Sequence, residues 1–330
     1  MNKKTLKPRR QELIENLGQY RFTQGDQMTD LEFNTLSSVC VDADRAIRIV
    51  SKRALKNVPQ SLKVNLFPHL SADPSPIPMA TMVGNREAFR ISIPISFIHK
   101  LVGVAPTRDG IQPTMESDYY CQSILVAILA AYAHELNHVF IGHLPTKSSV
   151  AQETNADFIG GGVTWRWLQL PDIQKICKVQ PMEVESACAF GFLHLLSILN
   201  DADHDQSIYL PRAARLQVFG GGAAFCADKT LGDGFGDLMH QALMNLPKCP
   251  DHTYRSSGIE KAHAFLMSQN TEELKNKALS ALETIPEEKR NWYNASVHIK
   301  PIRRFLQRIL KKYSGKHTES DRTAKPIKSE

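Results

Sequence analysis

Apolar residues along this chain gather into runs whose spacing predicts its elements. The longest run, Cys121-Gln-Ser-Ile-Leu-Val-Ala-Ile-Leu-Ala-Ala-Tyr-Ala133, has no polar face. It consists largely of good helix formers, so it predicts a helix buried nearly all round, with Gly142 as its stop. Upstream, Leu36, Cys40, Ala43, Ile47 and Val50 recur at helical spacing and predict a core-packed helix over 35–55. Residues 63–70, 78–83 and 87–94 read as strands, with Phe89, Ile91 and Ile93 alternating against Arg90 and Ser92. The Pro-rich stretch 71–78 predicts a loop, and Gly84-Asn85 a turn. A small antiparallel sheet is the expected result. Its edge strand could hold an extended peptide by backbone pairing, or be only a sheet edge.

Beyond residue 148 the spacing is helical over 149–168, 182–200, 209–227 and 232–245. Gly160-Gly161-Gly162 and Gly220-Gly221-Gly222 lie within or between these runs. Neither has the Lys or the strand-to-helix setting of a phosphate loop, so close helix packing or a helix break is the expected use. The fold class is α+β and mainly helical: a small antiparallel sheet on a buried helix, then a helical C-terminal half.

The apolar helix runs straight into His134-Glu135-Leu136-Asn137-His138, an HExxH pattern. Positions i and i+4 share a helix face, so His134 and His138 can aim both imidazoles at one metal ion, of which Zn²⁺ fits best. Glu135 lies about 100° round the helix, where its carboxylate can reach a metal-bound water as general base but is poorly placed as a ligand. A catalytic zinc site needs a third protein ligand. Glu153 and Asp157 form another i, i+4 pair at the start of the 149–168 helix. If that helix packs antiparallel to the first, Glu153 completes the site and Asp157 orients a ligand His through its far ring nitrogen. Asp157 remains the rival third ligand. His143 falls one residue early for HExxHxxGxxH and would face away on an extended helix. It reads as a loop residue, with a supporting contact to the site as the alternative.

These residues resemble the gluzincin metallopeptidases. HExxH followed by Glu-x-x-Ala-Asp is similar to the HtpX and CAAX-prenyl-protease family and to soluble intracellular peptidases such as the phage-exclusion Lit type. The resemblance spans residues 85–220, including the 88–101 segment before the active-site helix. It implies a zincin-like fold, zinc held by His134, His138 and Glu153, Glu135 as base, and Asp157 behind the ligands. Tyr209-Leu-Pro-Arg-Ala-Ala-Arg215-Leu216 is similar to that family's His-Pro-Pro-x-x-x-Arg-Leu segment, with Tyr in place of His. Tyr209 is therefore the first candidate for stabilising the oxyanion, ahead of His252 and His204. Arg215 either orients carboxylates near the metal or forms a structural ion pair. Only fourteen residues separate His138 from Glu153, short for the family.

Composition adjusts this picture in three places. The net charge is +6, but residues 300–330 hold ten Lys/Arg against three Asp/Glu, leaving the other 299 residues near neutral. The body therefore offers no case for nucleic-acid binding. The six Cys are scattered without paired spacing, so they read as free thiols in a reducing compartment. No N-terminal signal peptide and no transmembrane segment is expected, which suggests a cytoplasmic protein.

The expected organisation is an N-terminal arm (1–25), a metallopeptidase domain (26–297), a basic amphipathic helix (298–313) and a disordered tail (314–330). Residues 300–313 suit an acidic partner or a membrane surface. The expected function is zinc-dependent endopeptidase action on a restricted intracellular protein. The alternative is a catalytically inactive zincin-like binding or regulatory protein, associated with toxin, immunity or phage defence.

Overall fold

A computed structural model describes residues 6–24, 28–56, 65–75, 77–83, 88–104, 107–108, 118–141, 143–144, 149–199, 207–244, 254–255, 273, 276–277 and 279–286. The expected basic helix and tail, His204 and His252 lie outside these residues, as do Gly84, Asn85 and Gly142.

Two helices, α1 (Leu6–Gln24) and α2 (Asp30–Lys56), precede three strands, β1 (Asn65–Ser71), β2 (Met79–Val83) and β3 (Ala88–Pro94). Helix α3 (Ile95–Val104) follows β3 directly. After the two-residue β4 (Thr107–Arg108) come α4 (Asp118–Ile141), α5 (Val150–Leu168), α6 (Pro171–Cys177), α7 (Val184–Ser197), α8 (Arg212–Leu231) and α9 (Phe235–Met244). The last strand, β5 (Tyr254–Arg255), pairs with β4. The described protein is mainly helical with a small sheet, as an α+β class requires.

The sheet differs from the expected antiparallel one. Its order is β1-β3-β2: β3 is antiparallel to β2 but parallel to β1, with Asn65 opposite Ala88 and Ser71 opposite Pro94. The Pro-rich segment after β1 is too long for a tight hairpin. It carries the chain past the central position, which β3 then fills, and β3 runs in the same direction as β1. Strand β2 is left at the edge. Phe89, Ile91 and Ile93 face the core while Arg90 is exposed, as their alternation predicts.

Helix α4 is the axis of the core. Every described side chain from Gln122 to His134 is buried. One continuous apolar cluster joins it to Leu36, Val39, Ile47 and Val50 of α2, Phe97 and Leu101 of α3, Trp165 of α5 and Phe192 of α7. Each large side chain buried in this way contributes about 1.5–3 kcal/mol of hydrophobic free energy. The segment Gln122–Ile141 is, contrary to the sequence reading, long and apolar enough to cross a membrane, but most of it is buried inside the fold. The polar groups of its final turns do not outweigh the apolar run before them.

Polar groups on α4 have specific partners. Ser51 Oγ donates to Ile47 O, so it accepts from the Tyr132 hydroxyl at 2.6 Å. His194 of α7 donates from Nε2 to Leu101 O at 2.8 Å and lies 3.2 Å from Ser123 Oγ through Nδ1. Burial pushes its pKa down to about 4 against the pull of the Leu101 carbonyl, so this histidine is a neutral structural link. Cys40, Cys177 and Cys188 are buried free thiols, as their apolar settings suggest. Helix α6 was not foreseen; Pro171 opens it and Lys178, at φ 55°, closes it.

The two glycine triplets bring α5 and α8 into backbone contact. A Cβ on Gly161 would lie 1.9 Å from Phe219 O, and one on Gly222 would lie 1.7 Å from Phe158 O. Only glycine permits that approach.

Candidate metal centre

Helix α5 starts cleanly because Ser149 caps it, its side chain accepting from the Gln152 backbone N–H. The helix then runs antiparallel to α4. His134 meets both Glu153 and Asp157, while His138, one turn further on, meets Glu153. The i, i+4 spacing on each helix thus places four polar side chains across one buried seam.

One donor atom from each of His134, His138 and Glu153 lies within 4.8 Å of the others. The two Nε2 atoms are 3.0 Å apart, and Glu153 Oε2 is 3.1 Å from His134 Nε2 and 3.6 Å from His138 Nε2. A tetrahedral zinc ion with donors at 2.0–2.1 Å separates them by about 3.3 Å, so the spacing fits such an ion. Glu153 Oε2 is buried and faces both imidazole Nε2 atoms without a well-aligned hydrogen bond. A buried anionic oxygen needs positive charge beside it; the His134 imidazolium supplies it without metal, and a cation held by these three atoms would supply it with metal. Asp157, the rival third ligand, stands on the other side of His134, bonded to Nδ1 at 2.8 Å.

Behind the donors, the supports of the two histidines differ. Asp157 is gripped by Arg215 of α8, Nε to Oδ2 at 2.7 Å and Nη2 to Oδ1 at 2.8 Å. Arg215 is thus a buried ion-pair partner that fixes the carboxylate orienting His134. His138 is backed by His143, Nδ1 to Nδ1 at 2.9 Å. His143 lies beyond the end of α4, as a loop residue should, but it does not face away. It is 1 % exposed, and its backbone N–H donates to His138 O at 3.1 Å. Facing away applied only to a helix extended past Gly142; α4 ends at Ile141, and the His143 N–H bonds back to its last turn, which bears out the alternative of a supporting contact.

Electrostatics follow from burial and these pairs. Burial opposes the charge of His134, but Asp157 and Glu153 outweigh it and hold its metal-free pKa up at about 10. Burial would raise the Glu153 and Asp157 pKa values; the two imidazoles hold Glu153 well below the usual carboxylate range, and chiefly Arg215 holds Asp157 below it. Burial, then the Glu153 charge, raises the Tyr209 pKa, so its phenol stays protonated.

His134, Glu135, Tyr209 and Arg215 line one cleft of about 450 Å³. Its other walls are largely apolar, including Phe97, Leu195, Ile198, Leu199 and Phe219. Glu135 accepts a 2.7 Å hydrogen bond from the Ala80 backbone N–H, so β2 presents a main-chain donor to the cleft on its outer side. The Tyr209 ring packs against the Arg215 guanidinium, 5.1 Å from its centroid. Asn155 and the Ala80 N–H were missed in the sequence, and the His143 contact with the site was only the alternative reading of that residue. For His143 the available signal was a histidine just past a glycine helix stop in a short connection. A backbone donor leaves no such mark.

Comparison with protein-family models, curated proteins and solved structures finds no match to this chain.

Proposed function

We propose that this protein is a zinc-dependent endopeptidase of zincin-like fold that acts on a restricted intracellular protein target. One observation carries the reading: three buried metal donors converge beside a cleft that also holds Glu135 and Tyr209. When bound there, zinc supplies an activated water and polarises the scissile carbonyl.

The protein's own groups supply the rest. Strand β2 has β3 on one side and, among the described residues, no strand on the other. An extended peptide can pair along that free edge, with an apolar side chain in the cleft. A substrate carbonyl that takes over the Ala80 N–H releases the Glu135 carboxylate. Glu135 then accepts the attacking water's proton and passes it to the leaving amine. The Tyr209 hydroxyl donates to the oxygen that gains negative charge. His134 stays aimed by Asp157 and Arg215 throughout.

Elemental analysis of wild type, His138→Ala and Glu135→Gln, with cleavage of a mixed peptide library, tests the proposal. The expected result is about one zinc per chain in wild type and Glu135→Gln, little in His138→Ala, and cleavage by wild type alone. Wild type that takes up no zinc when it is offered sinks the reading. Full zinc with no cleavage of any peptide or protein leaves a non-catalytic metal protein.

A further inference from the structure

We infer that His143 is a positioning residue that sets the tautomer and aim of His138, and that it does so as a neutral hydrogen-bond acceptor relayed to Asn155. The inference rests on the metal-binding part of the function proposed above.

His138 can bind a metal through Nε2 only if that nitrogen presents its lone pair, which places the ring proton on Nδ1. That Nδ1 faces His143 Nδ1 at 2.9 Å. Two ring nitrogens at this distance share one proton. If His138 carries it, His143 must accept, and its own proton lies on Nε2. His143 Nε2 in turn faces the Asn155 side-chain amide, whose Nδ2 end stands 3.4 Å away. The amide's O and N ends are interchangeable by rotation, and the relay requires the flipped rotamer, with the Asn155 oxygen toward this N–H. The donor direction then runs one way, from His138 to His143 to Asn155.

The arrangement is built rather than incidental. His143 and Asn155 are both buried, and a second bond joins the His143 backbone N–H to His138 O. Asn155 stands two residues from Glu153 and two from Asp157 on α5, so the relay also ties the end of α4 to the helix that supplies the third donor. This accounts for the short link between them: the connecting chain is itself anchored at the site. It also makes the two histidines unequal. His134 is backed by an anion, His138 by a neutral ring.

The test compares zinc affinity in wild type, His143→Asn and His143→Leu, with thermal unfolding of each metal-free protein as a check on the fold. An Asn side chain can place its amide oxygen near the position of the lost Nδ1; a Leu cannot accept. Zinc should bind roughly 10–100-fold more weakly to His143→Leu, and close to normally to His143→Asn. Nitrogen-15 NMR of zinc-loaded wild type should show His143 neutral and protonated on Nε2. Wild-type affinity in His143→Leu, or a proton on His143 Nδ1, overturns the inference while leaving the metal site intact. Should His143→Leu fail to fold, the NMR tautomer of wild type decides. Wild type that binds no zinc overturns the inference together with the functional reading.

Discussion

Arg215 and Asp157, 58 residues apart in the chain, form a two-pronged buried ion pair. Removing the guanidinium by Arg215→Met strands a carboxylate in the interior. The expected cost is about 3–5 kcal/mol in urea unfolding. Arg215→Lys should recover only part of it, because an ammonium cannot reproduce the fork. Equal stability of Met and Lys variants would show that the pair's geometry is unimportant.

Without metal, stability should depend on pH in a defined way. The His134 pKa is raised from its ordinary value to about 10, so its contribution is complete below about pH 6.5 and is lost as pH rises toward 10. Glu153 and Asp157 are shifted down, so theirs is present above about pH 4.5 and is lost on acidification. The chelated protein should therefore unfold at its highest denaturant concentration between about pH 5 and 6.5. A midpoint that climbs from pH 7 to 10 contradicts this.

Zinc must displace the His134 proton, so its affinity should increase as pH rises from 6 to 9. Calorimetric titration in two buffers of different ionisation enthalpy should report net proton release near neutral pH. Identical heats in both would mean that His134 is already neutral.

Tyr209→Phe removes one donor from the cleft and leaves the metal ligands untouched. Zinc content should be unchanged, and kcat should fall roughly 10²–10³-fold with little change in KM. A variant as active as wild type would remove Tyr209 from the mechanism.

The helix contact offers an internally controlled comparison. Gly161→Ala drives a Cβ to 1.9 Å from Phe219 O, whereas a Cβ on Gly221 has nothing nearer than 3.9 Å. Gly161→Ala should cost about 1–3 kcal/mol or more, and Gly221→Ala should be neutral or stabilising by up to about 1 kcal/mol. Thermal unfolding distinguishes them.

How far the sequence disclosed this arrangement depended on whether a periodic rule applied. His134 and His138, like Glu153 and Asp157, are spaced one helical turn apart, so their shared faces could be read directly. Their meeting across two helices needed only an antiparallel packing assumption. Strand order could not be read in the same way. Alternation in Phe89, Ile91 and Ile93 marks a buried face but not the neighbour on either side, so the parallel pairing of β1 with β3 went unforeseen. His143 was rightly placed in a loop, but its contact with His138 stood only as the alternative, because it depends on where α4 ends. The Ala80 N–H is a main-chain group, and its role comes entirely from β2 lying at the sheet edge.

The backbone contact of α5 with α8 has one further consequence. Because Gly161 and Gly222 meet opposing carbonyls rather than pliable side chains, either helix has little freedom to slide or roll. Glu153 and Asp157 ride on the first helix and Arg215 on the second, so the site is preorganised by steric fit. An ion that enters it need not fold its own binding site, as zinc must in a small finger domain. The stripped protein should keep its shape and stay ready to be reloaded.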